Sequence, residues 1–468
     1  MLLVELGVQK HISKDEGGSN MRNLTEEVKA ILDAPNGVEE IVDNIGHLQP
    51  YDMALLLEEL DYDRQQQLID LLPIDLATEI LEYLEPETQY RLLHHSSEER
   101  AMALLQTLPS DTTVDLLLAI HPRQAEVLLT WLPGEYRERI DTLMTFPEDT
   151  AGSLATVDFI AAREGWTVGR TLEHIRKVGR RAEIVSYIYV LNARGQLVDV
   201  VSLKEIIFAP PETKLADIIT NSPIVVNAHS DQEEAARLLS QYDFLAIPVV
   251  DDTNRLVGII SVDDLVDVIQ EEATEDIQKL GGSEPLVESY LKTPVLTLFQ
   301  KRVWWLLVLF FAEAITGNIM RHFEDALTEV IALSFFIPLL IDAGGNTGSQ
   351  TVTTLVRALA LGEIQVEDTL QAVKKEMSTG LLLGAVIGSA AFIRAQLMGG
   401  TVNLGPVVGI SAFFIIAWAS TVAAVLPMLL HRLKVDPAVV SGPLITTLVD
   451  GVGILVYFSV AKIILDIG

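Results

Sequence analysis

Asp450 stands in "TTLVDGVGILVYF" (residues 446–458), inside an apolar run from Val439 to Ile464 and with no Lys or Arg beside it. An Asp at the centre of a bilayer costs roughly 2.5–3.5 kcal/mol on insertion scales, so something must offset that cost. One chemistry is modest: the carboxyl is protonated, or bonded to Thr446 or Thr447, and helps helices associate. The other is ion passage. Intramembrane acids usually mark ion pathways, which favours the second reading. Glu313, in an earlier apolar segment, is a further candidate, equally open to an interfacial placement.

A second apolar segment reads "IPLLIDAGGNTGSQTVTTLVRALALG" and sets Asp342, Gly344, Gly345, Asn346, Gly348, Ser349 and Gln350 at bilayer depth. Loosened backbone survives there when it is buried in protein or lines a wet cavity. Small residues also let membrane helices approach closely. Both readings stand open for the glycines, while Asn346 and Asp342 tip the segment towards a polar path.

A third pattern lies outside the apolar segments. Asp264, Asp267, Glu271 and Glu275 are separated by three, four and four residues, so they share one helix face, with Glu272 and Asp276 in a neighbouring row. Like charges at i,i+4 repel by a few tenths of a kcal/mol per pair. A solvated charged face is the ordinary explanation. Here almost no Lys interleaves, and a hard divalent cation held by oxygen ligands would turn the repulsion into a clamp.

The elements that position these residues follow from composition. The 468 residues carry a net charge of −32, yet residues 301–468 hold 10 Lys/Arg against 12 Asp/Glu. That leaves −30 on the first 300 residues: an acidic soluble module precedes a nearly neutral membrane module. Nucleic-acid binders are basic, so that class is excluded, and cations become the natural partners. With no cysteine, neither a disulfide framework nor a thiolate metal site is available. The first residues lack a basic n-region, so no signal peptide is read there; residues 1–22 are expected to be disordered, and Met21 offers a second start.

Residues 23–149 repeat a theme of short Leu-rich amphipathic helices that stop at a Pro and restart with acids or Thr. The unequal spacing of Pro73, Pro109 and Pro133 suggests a divergent helical superhelix more than a strict repeat array. "IVSYIYVLNARGQLVDVVSLKEII" then reads strand, turn, strand, helix, and "FLAIPVVDDTNRLVGIISVDDLVDVI" repeats it about 60 residues later. This duplicated α/β unit resembles a tandem pair of CBS domains, at 150–209 and 210–270. A connecting helix (271–300) leads to five apolar segments, 303–322, 330–356, 376–398, 405–430 and 438–464, each near the ~20 residues a spanning helix needs. Lys301, Arg302, Arg357, Lys374, Lys375, Arg432 and Lys434 fall on the acidic module's side of the membrane, against Arg321, Arg394 and Lys462 opposite. The positive-inside rule then makes the acidic module cytosolic and puts the C-terminus outside.

These residues together resemble the MgtE family of magnesium transporters and channels. The resemblance rests on "FPEDTAGSL", "EEATEDIQKLGG", "GGNTGSQ" and "VDPAVVSGPLITTLVDGVG" and covers nearly the whole chain from about residue 24. It implies a homodimer in the cytoplasmic membrane, with a pore between the two membrane domains (301–468). Asp450 would hold hydrated Mg²⁺ between the subunits, with Gly345, Asn346 and Thr446 beside the path. It also implies regulatory Mg²⁺ at positions matching Glu79, Asp111, Asp115, Asp231, Asp243, Asp264, Glu272, Glu275 and Asp276, which shuts the pore when the ion is abundant. Some members bind ATP between the CBS units. Two departures stand out: Gly442, where some relatives have Asn, and Ser153, where a Gly is usual.

No P-loop, HExxH motif, nucleophile elbow or dinucleotide turn is present, so no enzyme is expected. The alternatives carried forward are a transporter of Co²⁺ or Mn²⁺ and a membrane-anchored adenine-nucleotide sensor.

Overall fold

Leu57, Leu81, Leu105 and Leu129 lie 24 residues apart, and all four are buried; so are Leu60, Leu84, Leu108 and Leu132. This strict period corrects the expectation of irregular spacing. Each repeat holds two short helices, and the prolines fall at helix starts only in some repeats, which hid the register. In the computed structural model, residues 28, 48–219, 222–286, 289–398 and 403–467 are described. The disorder expected over residues 1–22 lies outside them.

The helices of this superhelix are α1 (Pro50–Glu58), α2 (Tyr62–Leu71), α3 (Ile74–Glu82), α4 (Pro86–His95), α5 (Glu98–Thr107), α6 (Ser110–Ala119), α7 (Pro122–Trp131) and α8 (Gly134–Leu143). Pro73, Pro109 and Pro133 are the residues that precede α3, α6 and α8. Proline suits a helix start because the N–H it lacks would have no partner there. Two buried glutamines repeat the same device 24 residues apart. Gln65 Nε2 donates to the Leu57 and Leu60 carbonyls, and Gln89 Nε2 donates to those of Leu81 and Leu84. Each satisfies the loose carbonyls at the end of the preceding helix.

Two α/β repeats follow. The first comprises β1 (Ala161–Arg163), α9 (Val168–Val178), β2 (Tyr187–Leu191), β3 (Leu197–Ser202) and α10 (Leu203–Phe208). The second comprises β4 (Val226–Asn227), α11 (Gln232–Tyr242), β5 (Ala246–Val250), β6 (Leu256–Ser261) and α12 (Val262–Leu280). Each sheet has its strands in sequence order, with a parallel first pair and an antiparallel second pair. The registers match between repeats: Tyr189 faces Val200, and Pro248 faces Ile259. Ser202 caps α10 in a capping box with Glu205, and Ser261 donates to Asp264 at the same place in the second repeat. The hairpin tips meet where the Leu197 N–H donates to the Asn254 carbonyl.

The chain divides into two compact units, 1–268 and 269–468, with α12 crossing the division. In the second unit α13 (Val295–His322), α14 (Glu324–Glu329), α15 (Ile337–Ala360), α16 (Thr369–Met398), α17 (Gly405–Arg432) and α18 (Gly442–Leu465) include five helices long and apolar enough to cross a membrane. Helices α13 and α16 begin several residues before the apolar segments do, because a helix does not stop at the membrane edge. Helix α18 begins later than expected. Asp436 caps a short turn at Pro437–Val439, and Ser441 accepts from the Leu444 N–H to start the helix afresh. Helices α16 and α17 pack through glycines: a Cβ at Gly388 would lie 2.7 Å from the Gly409 carbonyl oxygen.

Candidate ion path and cation-sensing acids

Asp450 is the ninth residue of α18, so it lies about 12 Å in from the helix start at 1.5 Å per residue. It sits nearer the start of α18 than its end. Its Oδ1 is buried and has no hydrogen-bond partner. The expected alternative, a bond from Thr446 or Thr447, is not made: both hydroxyls donate to the Pro443 carbonyl, at 2.8 and 3.0 Å. The neighbouring charge is Glu313 of α13, close enough to act on Asp450 electrostatically. Two acids of different apolar helices therefore stand near each other, an uncommon pairing within membrane-spanning segments.

The glycines of α15 serve packing. A Cβ on Gly344 would come within 2.6 Å of Ile415 and Val449, and one on Gly345 within 2.9 Å of Thr446; one on Gly348 would strike Ile445. Residue numbers rise along α15 as they fall along α18, so the two helices run antiparallel in close contact. Asp342, Asn346 and Gln350 are spaced i, i+4, i+8 on α15, and all three are exposed on the single chain. An exposed polar stripe at membrane depth needs water or protein against it, since hydrocarbon cannot satisfy it.

Where the connecting helix α12 ends, Lys279 closes on Glu275 one turn back and donates to Asp436 at 2.6 Å. Burial alone would lower the Lys279 pKa; hydrogen bonds to Asp436 and Glu275 outweigh it and hold the pKa above the usual lysine range. Partial burial, then the Asp436 charge, push Asp276 up to about 6, with Lys279 opposing. Glu272 adds to the same repulsion. Trp305 Nε1 donates to Ser441 Oγ at 3.1 Å, so α13 braces the start of α18 as well.

The first unit assembles its own acids. Asp111 of α6 has a buried Oδ1 without a partner, and burial, followed by the charges of Asp264, Glu183 and Asp115, raises its pKa well above the carboxylate range. Glu183 is pushed up to about 7 by partial withdrawal from water, then by Asp264, Glu82 and Asp263. Glu82 rises for the same reasons, with Glu79 contributing. Asp264 rises through burial although Ser261 donates to it. Asp111 and Asp264, 153 positions apart in sequence, thus meet with Glu82 and Glu183, two residues that the sequence reading missed. Glu82 ends α3 three residues after Glu79, on the same helix face; Glu183 lies in the loop before β2, and only folding brings it here.

Other expected positions lie elsewhere. Asp231 caps α11 by accepting from the Glu233 N–H at 2.9 Å. Asp243 ends the same helix in a left-handed conformation at φ 54°. Neither joins the Asp111 group. Ser153 Oγ donates to the Thr150 carbonyl, so the departure there has a local bond of its own. Gly442 opens α18, and a Cβ there would meet Ser349 Oγ at 3.4 Å, an ordinary contact. Among the described residues no three His, Asp or Glu close together tightly enough to hold a bare ion. Mg²⁺ keeps several waters and is commonly held through one or two carboxylates rather than in a closed protein cage.

Comparison with known proteins agrees along the chain. The family described as a divalent cation transporter, MgtE, matches residues 337–460; the MgtE intracellular N domain matches 48–149, and a CBS domain matches 215–271. The magnesium transporter MgtE of Thermus thermophilus is 41% identical over 90% of this chain and 94% of its own length. The protein of the same name from Bacillus subtilis is 35% identical over 89% and 92%. A crystal structure of the soluble part of a magnesium transporter superposes with a TM-score of 0.50 at 28% identity, over 54% of this chain and 99% of that one.

Proposed function

The chain belongs to the MgtE family of divalent cation transporters, and from that premise we propose that it admits Mg²⁺ through the cytoplasmic membrane and is shut by Mg²⁺ on its cytosolic acids. The observation that carries the reading is the buried, unpartnered Oδ1 of Asp450 beside α15, whose outer face is polar.

Two copies would face each other across the exposed stripe of Asp342, Asn346 and Gln350, covering what hydrocarbon cannot. The two Asp450 carboxylates would then hold a hydrated Mg²⁺ through its water shell. Thr446 already gives its hydrogen to Pro443, so its remaining lone pairs can accept from those waters. Asn346 offers both a donor and an acceptor to the same shell. Gly345 keeps α15 and α18 close enough for the path to stay narrow. Because Mg²⁺ sheds water reluctantly, selection by the intact shell suits this ion.

Inward movement is downhill in a negative-inside cell, by roughly 2.3 kcal/mol per charge per 100 mV. The Lys and Arg asymmetry supports a cytosolic acidic unit and an external C-terminus. Within that unit, Asp111, Asp264, Glu82 and Glu183 repel one another until a cation enters. Ion binding therefore favours the arrangement that gathers them, and by linkage that arrangement is the shut state.

The test is Mg²⁺ entry into liposomes holding the purified protein, driven by an inside-negative potential, with Mg²⁺ kept low on the face that bears the acidic unit. Flux preferring Mg²⁺ over Co²⁺ and Mn²⁺ supports the reading. Silence under that condition, in both orientations, overturns it.

A further inference from the structure

A cleft of about 1070 Å³ opens between α8 of the superhelix, α9 and the two hairpin tips. Its walls carry Arg139, Lys177, Arg181, Arg194, Arg255 and His174. The first 300 residues hold 23 Lys/Arg against 53 Asp/Glu, so five cations around one cleft run against the charge of the whole unit.

The acids of the cleft are largely engaged. Asp158 accepts from the Ser110 N–H at 3.0 Å and the Tyr136 hydroxyl at 3.3 Å. Asp251 accepts from the Thr253 and Arg255 N–H groups and the Thr253 hydroxyl. Glu135 pairs with Arg139 at 3.6 Å, which leaves Glu138. By contrast Lys177, Arg181 and Arg194 form no ion pair among the described residues. A cation at a helix C-terminus can answer to the helix dipole, and that explains Lys177 on α9. It does not explain Arg194 and Arg255, which sit on the two hairpin tips. Cations supplied by separate elements to one cavity, over a floor that includes Val157, Phe159 and Leu256, make a site.

We propose that this cleft binds a compact polyphosphate anion, a phosphate chain or the phosphate chain of an ester, held by Lys177, Arg181 and Arg194. Guanidinium forks match phosphate oxygens in pairs, and a ligand with several charges is needed to engage three cations from two walls. The volume admits a ligand of that size. The lining includes neither Ser202 nor Ser261, so the cleft is separate from the strand-to-helix junctions of the two repeats. A ligand reaching from α9 and the hairpin tips to α8 would also bridge the superhelix to the α/β repeats. The proposal does not depend on the transport reading.

The experiment is calorimetric titration of the full chain in detergent, free of divalent cations, with sodium tripolyphosphate. Lys177→Ala/Arg181→Ala/Arg194→Ala is expected to weaken binding about tenfold or more, whereas Ser202→Ala/Ser261→Ala keeps the wild-type affinity. Thermal melting checks that the triple variant folds; if it does not, Arg194→Glu on the hairpin tip alone serves in its place. Absence of binding at millimolar probe, undiminished binding by the cleft variants, or loss in the junction variant each overturns the proposal.

Discussion

Lys279 reaches from the last turn of the connecting helix to Asp436, the residue that caps the turn leading into α18, and the two side chains meet at 2.6 Å. Asp450 lies 14 residues further on. A resident ammonium thus bridges Glu275 and Asp436, and its charge opposes the crowding of Asp276, at the root of the helix that bears the intramembrane carboxylate.

Removing that ammonium leaves the three acids uncompensated. Both partners are partly solvated, so the loss is about 1 kcal/mol. In Lys279→Met, the Mg²⁺ concentration that half-closes flux in liposomes is expected to fall about fivefold, as that energy implies, because the uncompensated acids attract the cation in place of the ammonium. An unchanged half-closing concentration would show that the pair has no part in gating.

Asp450→Asn keeps the shape of the side chain and removes its charge. Mg²⁺ flux should fall about tenfold or more, since an ion-path acid is lost, while the protein elutes and melts like the wild type. Full flux in the variant would sink the pore assignment.

The contact between α15 and α18 can be tested by volume. Gly348→Val drives a side chain into Ile445, and overpacking of this kind costs about 1–3 kcal/mol. Its melting temperature in detergent should drop clearly, while Gly442→Ala, whose Cβ meets nothing nearer than Ser349 Oγ at 3.4 Å, should melt near the wild type.

Acid crowding in the first unit predicts a pH dependence. Glu183 has a folded pKa of about 7 against an ordinary 4.5, so the folded state binds more protons than the unfolded state between those values. Stability therefore falls as pH rises through about 4.5 to 7. Melting of the full chain without divalent cations should show this loss. Added Mg²⁺ should reverse it at pH 7.5, and Glu183→Gln should flatten it. A melting temperature that rises across this window would refute the crowding.

Much of the architecture was legible because hydrophobic pattern and turn residues are local. Five long apolar segments, two copies of a strand–turn–strand–helix pattern and Pro-punctuated amphipathic helices each announce themselves within a few dozen residues. The 24-residue period was also present in the leucines, but the prolines mark helix starts irregularly and do not all share it. Of the acids expected to sense cations, Asp264 and Glu275 were readable from their shared helix face with Asp267 and Glu271, and Asp276 from the neighbouring row. Glu82 and Glu183 were not: Glu82 follows Glu79 by three residues on α3, but a nine-residue helix is too short for that spacing to stand out, and Glu183 stands in a loop with no pattern.

The sequence by itself determined that one module is acidic and the other spans a membrane, and that a carboxylate is buried at Asp450, because charge, length and apolar runs are additive along a chain. Tertiary structure decided what those groups face. It brought Asp111 to Asp264 and Glu183, denied Asp450 the hydroxyls of Thr446 and Thr447, and set Lys279 on Asp436. Electrostatic and packing energies depend on distance in space, and residues 150 positions apart acquire a distance only when the chain folds.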